Sequence, residues 1–273
     1  MSISRRVVFI VALGALALVA QSSAEAAGPG IIHPIMDLNT QCLLGGSQDG
    51  KWVKPEVVTA ALKGGEKYRL YSLAGYMGQA TGSKATSIGV PCEDTQRVTI
   101  SPAPKITKNV YAVGATWAAE PRVPRSESLN QVIYQNAVRD VLKQKGLTNP
   151  KIKLTQVLRV DLEGDGVPEV LVSATYSAHP AFPSVAAGDY SLVLLRKVIK
   201  GKTQTFVIDG EAYAKDSPFA APNTYTVTSV LDLNGDGTME VVVDSRYYEG
   251  EFSTVYQVKG SDIQPVLECG CGV

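Results

Sequence analysis

Two stretches of this chain repeat one another, and few architectures accommodate the pattern they share. TQVLRVDLEGDGVPEVLVSATY (155–176) aligns with TVTSVLDLNGDGTMEVVVDSRYY (226–248), with Asp161 matched to Asp232. The likeness continues through GDYSLVLLRKVIKG (188–201) against GEFSTVYQVKG (250–260), and TFVID (205–209) against QPVLE (264–268). Each copy reads as strand, acidic loop, strand, turn, strand, Lys-Gly turn, strand. A four-stranded antiparallel meander of this kind is the unit that propellers repeat radially, typically in 4–8 blades. Only two copies are visible, so a large propeller does not fit. A small closed one would have to recruit the N-terminal half, which has no third acidic loop.

The loops carry recognisable chemistry. Asp232, Asn234 and Asp236 alternate, Gly237 follows, and Glu240 is the next carboxylate. The first copy offers Asp161, Glu163, Asp165, Gly166 and Glu169 in the same places. Hard oxygen donors around a tight glycine turn suit calcium better than zinc or copper. An EF-hand loop would need a carboxylate at its twelfth position and helices on both sides. Here that position is Val172 or Val243, and the flanks are strand-like. The reading is therefore a calcium loop at a hairpin tip. The alternative is a tight turn whose acids are merely solvated.

DLEGDGVPEVLV and DLNGDGTMEVVV resemble the acidic loops of FG-GAP/VCBS repeats, the integrin-α-type repeats of secreted proteins. That resemblance covers about 155–176 and 226–248. It implies calcium ligands at Asp161, Glu163, Asp165, Glu169, Asp232, Asn234, Asp236 and Glu240, with backbone carbonyls from Val167 and Thr238. Glu163 is longer than the usual Asp or Asn, Pro168 is unusual in such a loop, and no Phe-Gly/Gly-Ala-Pro signature is present. The chain is also similar to uncharacterised bacterial secreted proteins carrying LLGG…GKW…KGGEKYRLY and RYYEG…CGCG, a likeness that implies no activity.

The N-terminus reads as an export signal. Arg5 and Arg6 precede an apolar stretch from Val7 to Ala20, and Ala24-Glu25-Ala26 fits a cleavage site. The expectation is a signal peptide over 1–26, a secreted or periplasmic protein, and no later membrane span. The formal net charge is zero, so there is no electrostatic argument for nucleic acid. The cysteines, Cys42, Cys92, Cys269 and Cys271, are even in number, which suits disulfides in an oxidising compartment. Three pairings are possible. The favoured one is Cys42–Cys92, leaving Cys269 and Cys271 as a tight bridge or a redox pair. Zinc is disfavoured, since the two histidines, His33 and His179, lack ligand spacing.

Elsewhere, residues 28–125 read as a small β-rich unit, with strands at 67–73 and 97–101, a short helix over 54–65, and loop through ATGSKATSIGVPCEDT. An amphipathic helix is expected at about 128–145 within 126–149, capped by Ser126 or Ser128. Its apolar face would hold Leu129, Val132, Ile133, Ala137, Val138, Val141 and Leu142. The expected class is thus mainly β with one prominent helix (α+β), with two propeller-blade-like repeats over 150–273.

The functional reading is a secreted calcium-binding module that recognises a protein or glycan, with Tyr247, Tyr248, Phe252 and Tyr256 as contact aromatics. The alternative is a carbohydrate-active hydrolase or lyase using Asp244, Arg246, Glu249 and Glu251. A Ser177–His179 dyad is weaker, because no G-x-S-x-G elbow accompanies it.

Overall fold

A computed structural model describes residues 30–106, 108–178 and 184–273. The expected signal peptide and His179 lie outside the described residues. The chain from Ile31 onward forms one compact unit. Among the described residues it is mainly β, with antiparallel sheets and two helices.

In chain order the elements are β1 (His33–Asp37), β2 (Cys42–Gln48), β3 (Lys51–Val53), α1 (Pro55–Ala61), β4 (Lys67–Ser72), β5 (Gly75–Ser87), β6 (Gln96–Ser101), β7 (Tyr111–Val113) and β8 (Arg125–Ser126). Then come α2 (Val132–Gln144), β9 (Leu154–Val160), β10 (Glu169–Tyr176), β11 (Tyr190–Ile199) and β12 (Lys202–Ala212). The last four are β13 (Thr224–Leu231), β14 (Glu240–Tyr247), β15 (Gly250–Lys259) and β16 (Asp262–Cys271).

These strands make three sheets. The N-terminal one runs β3-β2-β1-β7-β4-β5-β6 and curls until β2 and β6 touch. The second runs β12-β11-β10-β9-β8, and the third β13-β14-β15-β16. Both aligned sequence stretches therefore sit in four consecutive antiparallel strands.

Side-chain alternation sorts the sheets into layers. Leu171 of β10 joins Val241 and Val243 of β14 in a core between the second and third sheets. On the other face of β10, Val170, Val172 and Ala174 pack under α2 through Val138, Val141 and Leu142. On the other face of β14, Val242 joins Leu231, Val255 and Leu267 against Ile35, Leu44, Tyr71 and Tyr111 of the N-terminal sheet. A fourth core fills the curl of that sheet beneath Val58 of α1. The third sheet is thus the middle layer, covered on both faces. This is why Val241-Val242-Val243 is an unbroken apolar run rather than an alternating one.

Three expectations need correction. Cys42 pairs with Cys269 and Cys92 with Cys271. The favoured Cys42–Cys92 bridge is absent because β16 packs beside β2, bringing the last strand to the first hairpin. Cys269 and Cys271 point to different partners, so they form neither a mutual bridge nor a free redox pair. The stretch 80–87 is not loop but the second half of β5, held between β4 and β6. The main helix starts at Val132 behind Gln131, with no side-chain cap, and Leu129, Val132 and Ile133 are exposed. Its buried face is Tyr134, Ala137, Val138, Val141 and Leu142.

Candidate functional site

The two acidic loops link β9 to β10 and β13 to β14, and they lie side by side. The Met239 N–H donates to the Leu162 carbonyl at 2.8 Å. Arg122 spans both loops, donating to the carbonyls of Asp161, Leu162 (2.9 Å) and Gly237 (2.8 Å).

Each loop is wound by the same local bonds. Asp161 accepts from Gly164 N–H at 2.7 Å through Oδ1 and from Gly166 N–H at 2.9 Å through Oδ2. Asp232 does the same with Gly235 (2.8 Å) and Gly237 (3.0 Å). Asp165 caps the Val167 N–H, and Asp236 caps that of Thr238, both at 2.8 Å. Gly164, Gly166, Gly235 and Gly237 all have φ between +73° and +87°, the left-handed region that glycine enters without steric cost. The D-x-x-G-x-G spacing thus fixes the turn before any metal is considered.

The last acid of each motif closes the loop from beneath. Glu169 Oε2 accepts the Leu162 N–H, and Glu240 Oε2 accepts the Leu233 N–H, each at 2.9 Å. Both side chains are buried, and burial raises both carboxyls above the ordinary range. Glu240 goes furthest, to about 8, with Asp236 and Asp232 adding to the effect of burial. Asp232 is also raised by burial.

The surroundings differ. Gly235 lies under the Trp117 indole, whose Nε1–H donates to the Asp232 carbonyl at 2.8 Å. Asp232 N–H donates to Ala119 O at 2.7 Å, and Ser47 of β2 donates to Leu233 O at 3.0 Å. Asn234 Nδ2 donates to Asp236 Oδ2 at 3.1 Å and reaches the Gly50 carbonyl at 3.4 Å. In the first loop the corresponding cover is a cation: the Arg122 guanidinium lies against Gly164 and its Nε–H donates to the Asp161 carbonyl. Gly164, Asp165 and Gly166 are exposed, as are Gly235, Asp236 and Gly237.

Among the described residues, no three His, Cys, Asp or Glu side chains form a ready metal shell. The fit to calcium is therefore decided by what each donor is doing. In the second loop, Glu240 is fully buried and its Oε1 has no hydrogen-bond partner. Gln257 faces the same carboxyl and favours its charge, but no N–H reaches Oε1 in hydrogen-bonding geometry. An orphaned buried carboxylate oxygen beside two further acids is the environment a cation relieves. In the first loop the corresponding place is filled: Lys197 Nζ lies 2.9 Å from Glu163 Oε1. That contact is ionic, its angles falling outside hydrogen-bonding range.

A second feature lies where β10, β12 and β14 end, at the opposite end of these strands from the acidic loops. A cavity of about 320 Å³ is lined by Tyr176, Tyr190, Tyr213, Tyr247, Tyr248 and Arg246, among others. Tyr176 stacks on Tyr190 with centroids 6.4 Å apart, and Tyr247 meets Tyr248 edge-on at 5.6 Å. Asp189 is spent on structure, accepting from the Ala178 and Ala186 N–H groups. Glu211 accepts the Asn223 N–H, and burial raises its carboxyl. Of the contact aromatics expected from sequence, Tyr247 and Tyr248 line this cavity. Tyr256 packs into the core between the sheets and donates to Asp209.

Of the hydrolase alternative's residues, Asp244, Arg246 and Glu251 lie near one another on the β14–β15 ladder, and each has a structural partner. Asp244 is buried against Ser253 and Thr228, Glu251 pairs with Arg246 and accepts from Asn39, and Glu249 sits in the β14–β15 turn beside Tyr248. Ser177 donates to Asp189 at 3.3 Å. Lys197, Trp117 and Arg122 are neighbours of the loops that the motif does not contain. No family model, curated protein or solved structure matches the chain.

Proposed function

We propose that this chain is an exported calcium-binding β protein that works by recognition. Its second acidic loop takes a calcium ion, and its tyrosine-lined cavity takes part of a protein or glycan ligand. The observation that carries the calcium half is the fully buried, unpartnered Glu240 Oε1 beside Asp232 and Asp236. Asp232, Asn234, Asp236 and Glu240 would hold the ion, with the Thr238 carbonyl and water completing a flexible oxygen shell of the kind calcium accepts. The ion would supply charge compensation and loop order, and no bond-making step is assigned to it.

Recognition is supported by the cavity. Its size is at the lower end for small-ligand sites, and its walls offer aromatic faces with a few polar groups. Export is supported by the Arg5-Arg6 and apolar N-terminal pattern together with two disulfides. Within this reading, β9–β12 and β13–β16 are two copies of one blade-like unit, with the N-terminal sheet as the third layer.

Titration with calcium and with magnesium, followed by calorimetry, tests the metal half. Binding of calcium that Asp236→Ala removes supports it, and no heat with either ion sinks it. A glycan array and a pull-down from cell-envelope extract test the ligand half. Retention that is lost in Tyr213→Ala and Tyr248→Ala supports the cavity, and retention unaffected by both variants places recognition elsewhere.

A further inference from the structure

The two loops share a backbone conformation, and the side chain that faces the last acid across the ladder differs between them. β10 pairs Val170 with Arg196, and β14 pairs Val241 with Tyr256. Continuing each ladder by one residue sets Lys197 beside Glu169 and Gln257 beside Glu240. These are equivalent positions in equivalent hairpins, one holding an ammonium and the other a neutral amide.

We propose that the first loop carries its own cation, the Lys197 ammonium, in place of a metal ion, and that the chain therefore binds one calcium, in the second loop only. This rests on the reading of the second loop given above and adds the fate of the first.

Lys197 is 4% exposed, although lysine is seldom buried without a partner. Its ammonium pairs with Glu163 and draws the Glu169 carboxyl toward its charged form. Both acids are donors that a calcium ion in the first loop would require. A divalent ion placed among them would meet a buried positive charge at close range, where screening by water is weak. Separating Lys197 from Glu163 would in turn leave a buried ammonium without its counter-charge. Four carboxylates, Asp161, Glu163, Asp165 and Glu169, make the first loop the more acidic by sequence. Its lysine makes it the poorer metal site. The second loop has three carboxylates and Asn234, and its facing residue leaves the Glu240 oxygen unsatisfied.

Native mass spectrometry of the disulfide-intact chain, with calcium alone, counts the ions. The expected count is one for the wild type, one for Asp165→Asn and none for Asp236→Asn. Exchanging the facing residues provides the decisive pair. Gln257→Lys should abolish the wild-type site, and Lys197→Gln should add a second. Two ions on the wild type would overturn this inference alone, while none would overturn the calcium reading with it. If Lys197→Gln does not fold, Gln257→Lys decides: calcium affinity weakened at least tenfold supports the proposal, and unchanged affinity overturns it. A folded Lys197→Gln that still binds one ion also overturns it.

Discussion

The four-stranded units β9–β12 and β13–β16 have the same strand sequence and the same acidic turn, yet they occupy unlike positions. The second is the middle layer. It is bonded to the N-terminal sheet through Ser47 and to the β7–β8 connection through Trp117 and Ala119, and β16 is joined to that half of the chain by both disulfides. The first has α2 on its outer face, and its loop is covered by Arg122 where the second is covered by Trp117. Equivalent residues have followed their surroundings. Ser173 of β10 is buried and donates to Gln156 at 3.0 Å, whereas its counterpart in β14 is a buried carboxylate, Asp244. The lesson is that the motif sets the path of the turn, and the neighbouring layer sets its electrostatics.

If the second unit depends on its neighbour, cutting the Cys42–Cys269 bond should separate the two most. A Cys42→Ser/Cys269→Ser double variant is expected to lose about 2–5 kcal/mol in urea unfolding, because the bridge closes a long loop. Hydrogen exchange should show β13–β14 losing more protection than β9–β10. Equal loss in both hairpins would break the comparison.

The next effect comes from Asp244. The Ser253 hydroxyl lies 2.6 Å from Asp37 Oδ2 and 2.7 Å from Asp244 Oδ1. One hydroxyl proton serves one carboxylate, so satisfying both contacts requires a proton on the other carboxyl. Burial, then the charge of Asp37, raises Asp244 to about 6, with Glu251 adding to it and Thr228 opposing it. Burial also raises Asp37 and the nearby Tyr111, whose hydroxyl is 3.2 Å from Asp244. A carboxyl raised in the folded state stabilises the fold below its unfolded value, near 4, and that contribution is lost as pH rises through 6. The expected loss between pH 4 and pH 7 is on the order of 3 kcal/mol. Asp244→Ser, which copies the first unit, should remove this contribution and leave the slope that comes from Glu240, whose buried carboxyl is raised to about 8. A wild-type profile already flat over that range would remove this distinction.

Trp117→Ala sharpens the contrast further. The indole is half-buried against Gly235 and His33 and donates to Asp232 O. Its removal should cost about 2 kcal/mol, below the usual range for a fully buried tryptophan. Calcium affinity should fall as well, since the second loop loses its roof. Unchanged calcium binding would show that the loop is self-supporting.

Much of this comparison was legible in the sequence. The repeat, its strand order and the glycine turn are contiguous patterns, and period-two alternation and fixed spacing survive without tertiary information. Residues 80–87 were misread because ATGSKATS lacks that alternation and is ordered by its neighbours β4 and β6. The disulfides were hidden for another reason: which cysteines meet depends on β16 packing beside β2, and loop length does not report it. Lys197 left a signal in LVLLRKVI, a lysine inside an apolar strand, but only the ladder register sets it beside Glu169. The tyrosine cavity draws on several strand ends and connections distant in sequence, so no local pattern announces it.

The smallest expected effect is the one that tests the loops most directly. Extracellular calcium modules bind with dissociation constants around 10⁻⁴–10⁻³ M. At ~1 mM calcium and ~0.1 mM affinity, one site adds about 1.4 kcal/mol. For a folded unit of this size that is a rise of roughly 3–6 °C in melting temperature. Magnesium should give less, because it sheds water reluctantly and demands strict octahedral geometry. Under the proposed calcium reading the gain comes from the fully buried Glu240, whose Oε1 has no hydrogen-bond partner. Asp236→Ala should therefore abolish the calcium shift, while Asp165→Ala should leave it intact and lower the baseline only through its lost bond to the Val167 N–H. Melting curves of the three proteins with calcium and with chelator decide the matter. Superimposable wild-type curves would reduce both loops to turns. A shift halved by each variant would mean that the two loops share the ion load equally.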